Sequence, residues 1–140
     1  MTNLVKIVPL LIYLMIGSIS MMMAMKIFLS RKFLPFQEEA YGKEWESIDK
    51  RLQDLILALM RLSGLGFLIV SFLLLIFPVY SWFNPDPFSK YAIPLIALVF
   101  CTGLFIINFI LYRKTNASTP WKKSLYGIGA IIIGMAVSYM

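Results

Sequence analysis

The sequence predicts an all-α integral membrane protein: a four-transmembrane-helix bundle with a cytoplasmic extension of the second helix. Three observations predict it. Of 140 residues, 60% are apolar and only 14% charged, against roughly half apolar and about a quarter charged in an ordinary soluble domain. The apolar residues gather into four blocks, at about residues 4–29, 52–80, 93–112 and 124–140, which can be measured against ~30 Å of bilayer hydrocarbon at 1.5 Å per residue. Finally, almost all Lys and Arg residues fall on the same side of these blocks. The whole chain, 1–140, reads as a single membrane domain.

The first block opens like a signal peptide, with Lys6 before an apolar run. That run, from Ile7 to Met25, is longer than a typical h-region, and Lys26, Arg31 and Lys32 close it as a stop-transfer flank would. It is therefore read as a retained span, with Pro9 in its first turns, where a missing N–H is tolerated. Between the second and third blocks, Pro85 and Pro87 prevent helix from running through and mark a short hinge between antiparallel spans. Between the third and fourth, Asn116-Ala117-Ser118 matches a glycosylation acceptor by chance, and the Thr119-Pro120-Trp121 turn looks like a family signature without pointing to a family. The fourth block reaches only ~25 Å and barely spans.

Orientation follows from the cations. Lys26, Arg31, Lys32, Lys43, Lys50 and Arg51 belong to one loop and its flanks, and Arg113, Lys114, Lys122 and Lys123 to another on the same side. Lys6 and Lys90 stand opposite. The positive-inside rule makes both cation-rich loops cytoplasmic and puts both termini outside a bacterial-type inner membrane. Aromatic belts agree with this: Tyr80, Trp82, Phe83, Phe88 and Tyr91 outside, and Phe33, Phe36, Tyr112 and Trp121 inside.

The cytoplasmic segment 30–51 is amphipathic. Tyr41, Trp45, Ile48, Leu52, Leu55, Leu59 and Leu62 recur at alternating steps of four and three, so the stripe continues into the second span. It predicts one helix over residues 36–77, protruding ~20–25 Å into the cytoplasm; the alternative is an interfacial helix bent near Lys50-Arg51. Its polar face, with Glu38, Glu39, Lys43, Glu44, Glu46, Asp49, Lys50 and Asp54, reads as a solvated surface or a docking surface.

Arg61 is the one charged residue well inside a block. It either snorkels to the headgroups or, with Asn108, Gln53, Asp54 and Ser63, lines a cytoplasm-facing pocket for an anionic headgroup, phosphate or carboxylate. Small residues at helical spacing mark close packing: Gly17, Ser20 and Ala24 in the first span, Gly64 and Gly66 in the second, and Gly127, Ala130, Gly134 and Ser138 in the last. Met15, Met21, Met22, Met23 and Met25 cover all faces of their helix and read as adaptable packing and lipid contact, and Cys101 reads as a small buried apolar residue.

The chain contains no histidine, which disfavours haem, zinc-hydrolase and His-dependent phosphatase chemistry. No Asp or Glu lies near the middle of a span, where a proton-coupled antiporter needs one, and Cys101 has no partner for a disulfide. No cofactor or metal is expected. The leading functional expectation is a non-enzymatic accessory or interaction subunit that assembles through its small-residue faces. Its partners would be membrane lipids and either a second copy or another protein, not nucleic acid. The second is a carrier or enzyme for a lipid-like or anionic small molecule, using the pocket around Arg61 and Asn108.

Overall fold

The computed structural model describes residues 2–140, and these are helical almost throughout, with no strand among them. Helix α1 covers Thr2–Leu29, α2 Pro35–Tyr41, α3 Lys50–Phe83, α4 Pro87–Thr115 and α5 Trp121–Tyr139. Three of them, α1, α3 and α4, are long and apolar enough to cross a membrane, the pattern of a multi-pass membrane-associated protein. The 34 residues of α3 extend about 50 Å, more than the ~30 Å of hydrocarbon they would cross. Helix α5 is shorter, at 19 residues, and begins with Trp121-Lys122-Lys123; it falls outside that group.

The four long helices form a ring in the order α1, α3, α4, α5, each touching its two neighbours. A Cβ on Gly17 would meet Leu74 and Leu75, and one on Gly64 would meet Phe28, so α1 and α3 run antiparallel. Tyr91 faces Tyr139 and Phe109 faces Trp121, so α4 and α5 are antiparallel as well. Tyr13, Ile16, Leu74, Ile93, Ala97, Cys101 and Ile131 fill the centre of the ring. The outward surface stays apolar, with Leu62, Leu65, Ile69, Phe72, Leu95, Val99 and Ile107 all exposed. A surface of this kind suits lipid, where exposed alkyl groups cost nothing.

The helix expected to run unbroken over residues 36–77 is instead interrupted. Gly42 takes a left-handed conformation (φ 75°) and its N–H bonds to the Glu38 carbonyl, which ends α2. That backbone region costs a glycine little. A single 3₁₀ turn, Trp45–Ser47, follows, and Asp49 then restarts the helix by accepting the Arg51 N–H at 3.2 Å. The break folds the segment back on itself, and Phe33, Trp45 and Ile48 become buried together. Burying a Trp and an Ile outweighs a few helical hydrogen bonds at a Gly that already weakens the helix. The stripe through Tyr41, Trp45 and Ile48 is thus the inside of a compact connector rather than one face of a projecting rod.

The aromatic residues expected at the inner interface point inward too. Phe33 packs edge-on against Trp45 with ring centroids 4.9 Å apart, and Trp121 is enclosed by Phe105, Phe109 and Tyr112. At the opposite end of the ring, where both termini lie, Tyr80, Trp82, Phe83, Phe88 and Tyr91 are all exposed.

Candidate functional site

The residues expected to share a pocket around Arg61 are dispersed. The buried seam of α3 runs through Met60, Gly64, Ser71, Leu74 and Pro78, steps of three and four that keep one side of the helix against its neighbours. Arg61 and Ser63 fall beside that seam and are exposed, as is Asp54. Asn108 is half-buried, but its amide donates to the Leu104 carbonyl of its own helix at 2.9 Å. The Asn108 carbonyl accepts the Thr119 hydroxyl at 2.8 Å. Gln53 points into the connector, where its amide donates to the carbonyls of Trp45 (2.8 Å) and Ile48 (3.1 Å). Asn108 and Gln53 are therefore engaged in holding backbone, and neither of the two hollows described below includes Arg61 or Asn108.

The small residues are largely used within the chain. Ala24 and Ser20 are buried on α1, and Gly17 and Gly64 sit where a Cβ would press on α3 and α1 backbone at 3.2–3.3 Å. A Cβ on Gly127 would meet the Cys101 sulfur at 3.3 Å, and one on Gly134 would meet Ile12 at 3.4 Å. Gly66 has nothing within 4 Å; two residues from Gly64, it turns to the other side of the helix. Ala130 and Ser138 are half-buried on α5.

The Thr119-Pro120-Trp121 turn is a clasp. Thr119 is buried and bonded to Asn108, Pro120 starts α5, and Trp121 stacks into the α4 aromatics. Asn116, the residue of the sequon, takes φ 53° and ends α4, a left-handed position Asn tolerates better than most residues. Ser118, two residues further on, donates its backbone N–H to Glu39 of α2 at 3.1 Å, tying the α4–α5 loop to the α1–α3 connector.

Two hollows remain. One is an open depression of about 600 Å³ on the connector, lined by Lys32, Glu38, Glu39, Lys43 and Glu44 around Phe33 and Pro35. The other, about 620 Å³, opens at the termini end where α1, α3, α4 and α5 meet. Its walls include Pro9 and Tyr13 of α1, Pro78 and Trp82 of α3, Pro94 of α4, and Met135 and Tyr139 of α5; Lys6, Asp86 and Lys90 are its charged residues, with Ser81, Ser89 and Ser138 as hydroxyls. Lys90 rests its ammonium 5.1 Å from the centre of the Tyr139 ring. Asp86 caps α4 by accepting the N–H and O–H of Ser89 at 3.2 and 3.3 Å.

In the termini-end cavity the one hydroxyl–carboxylate pair is that of Ser89 and Asp86 at the start of α4, and among the described residues no group of three His, Cys, Asp or Glu is placed to hold a metal ion. No protein-family model matches the chain, and no curated protein or solved structure shows significant similarity to it. Sequence reasoning did not identify the termini-end cavity. The available signal was the convergence of Pro9, Pro78 and Pro94 with Lys6 and Lys90 at one level of the antiparallel helices.

Proposed function

We propose that the chain is a four-span inner-membrane protein with both termini outside, acting as a non-enzymatic interaction subunit whose recognition surface is the folded connector, residues 30–49. One observation carries the reading. Connections between packed helices are mostly about 2–8 residues long, and the segment between α1 and α3 is far longer, with a short helix and a 3₁₀ turn of its own. This one has its own buried aromatic core, a glutamine clasp and a bond to the other inner loop. A mere tether between two spans needs none of these. The connector's charged residues are Glu38, Glu39, Glu44, Glu46 and Asp49 against Arg31, Lys32 and Lys43, a net negative surface that suits a partner presenting a basic segment. Self-assembly through the small residues is disfavoured, because Gly17, Gly64, Gly127 and Gly134 already serve contacts within the chain.

The test is site-specific photocrosslinking in the native membrane. A crosslinker at Glu46 yields one defined protein adduct, lost when Glu38 and Glu44 are changed to Lys; a crosslinker at lipid-facing Ile69 yields none. A connector that gives no defined adduct, or an adduct that survives the charge reversal, defeats the proposal.

A further inference from the structure

The termini-end cavity has a composition that selects its occupant, and we infer that it binds an anionic amphiphile: a phosphate or carboxylate head held by Lys6 and Lys90, with an apolar chain along the proline and aromatic wall. Charge sign decides against a cationic ligand. The aromatic rings alone would suit a quaternary ammonium, but Lys90 already occupies the face of Tyr139, and a second ammonium, that of Lys6, lines the same space. The one carboxylate, Asp86, is engaged by Ser89 at the start of α4. An incoming anion would draw Lys90 from a cation–π contact into a charge-assisted hydrogen bond, the stronger of the two.

Size and surroundings agree. A volume of about 620 Å³ is within the range of small-molecule sites. The cavity lies at the level of the exposed Tyr80, Phe83 and Phe88, the aromatic position that marks a membrane–water interface and so the depth of lipid headgroups. Its prolines add acceptors. A proline inside a helix supplies no N–H to the carbonyl four residues before it. Pro9 and Pro94 thus free the carbonyls of Val5 and Lys90, two residues that line the cavity, and these can receive the hydroxyl groups of a headgroup. A membrane lipid and a free anionic solute both supply such a head, and the chemistry at the two lysines is the same.

Native mass spectrometry of the full chain in an uncharged detergent tests this, with decyl phosphate below its micellar concentration as the probe. Wild type forms a saturable one-to-one adduct, and the Lys6→Gln/Lys90→Gln variant binds roughly tenfold or more weakly, as expected for two lost charge-assisted bonds. A charge-matched control, Lys26→Gln/Lys123→Gln, binds as wild type. Both lysines of the test variant are exposed, and an unchanged melting temperature verifies its fold. Displacement of the probe by inorganic phosphate alone identifies a free-anion site, and resistance to displacement identifies a lipid site. No adduct with wild type, an equal adduct with decyl maltoside, or equal binding by the Lys6→Gln/Lys90→Gln variant overturns the inference.

Discussion

Substituting Gly17 by alanine tests the ring at its tightest seam. An added Cβ would sit 3.0 Å from the Leu75 Cγ and 3.2 Å from the Leu74 backbone carbon, where carbon pairs prefer ~3.5–4.0 Å. The leucine side chain can turn away, but the backbone of α3 cannot without separating from α1, so the helices must part by a few tenths of an ångström. Overpacking of this kind costs about 1–3 kcal/mol. Alanine also improves the helix itself, by up to ~1 kcal/mol, and that gain must be removed from the comparison. Gly66→Ala does so, because it lies on an exposed side of α3 with nothing within 4 Å of its added methyl. The difference between the two variants isolates the seam and is expected at about 1–3 kcal/mol, with Gly17→Ala the less stable. Reversible unfolding in mixed detergent micelles measures it. Equal stability within ~0.5 kcal/mol, or a more stable Gly17→Ala, refutes the close approach of α1 and α3 as the reason for glycine there.

Three further outcomes are expected. Gln53→Leu removes two hydrogen bonds to connector carbonyls, at about 0.5–1.5 kcal/mol each, so hydrogen exchange accelerates in residues 44–48 while the centre of the ring keeps its protection. Glu39→Gln, which touches only the two exposed bonds from the Ser118 N–H and hydroxyl, changes global stability by less than about 0.5 kcal/mol in a thermal melt; a larger loss would show that the link between the loops holds the fold. In a Cys101→Ala background, an impermeant maleimide labels Asn84→Cys on intact cells and Lys43→Cys only after permeabilisation, and the reverse pattern overturns the proposed orientation.

The helix positions were legible because hydropathy and flanking charge act over twenty residues at a time. Block boundaries at 4–29 and 52–80 fall within a few residues of α1 and α3. The third block starts at 93 by hydropathy because Pro85, Pro87 and Lys90 mark the preceding residues as loop, whereas the helix starts at Pro87, capped by Asp86. The connector was misread for a related reason. Spacings of three and four fit a helix face, and the same residues also meet when the chain doubles back. Gly42 and Asp49 held the local signal, an αL position and a cap, yet neither outweighs a long periodic stripe until Phe33 is known to lie across from Trp45. Arg61 and Asn108 share similar depth, but depth does not give azimuth, and the rotation of α3 is set by Gly64 meeting Phe28. The cavity depended on four helices converging, which no single segment records.

The prolines also divide the molecule mechanically. Pro9, Pro78 and Pro94 lie inside three of the four long helices, all at the termini end, and each removes a rung from its hydrogen-bond ladder. At the other end the backbone is fastened by the Gln53, Thr119 and Glu39 bonds. Bending stiffness is therefore graded along the bundle axis: the ring can splay or tighten at its proline level while the connector end acts as a fixed base, so a disturbance at one end need not be transmitted to the other.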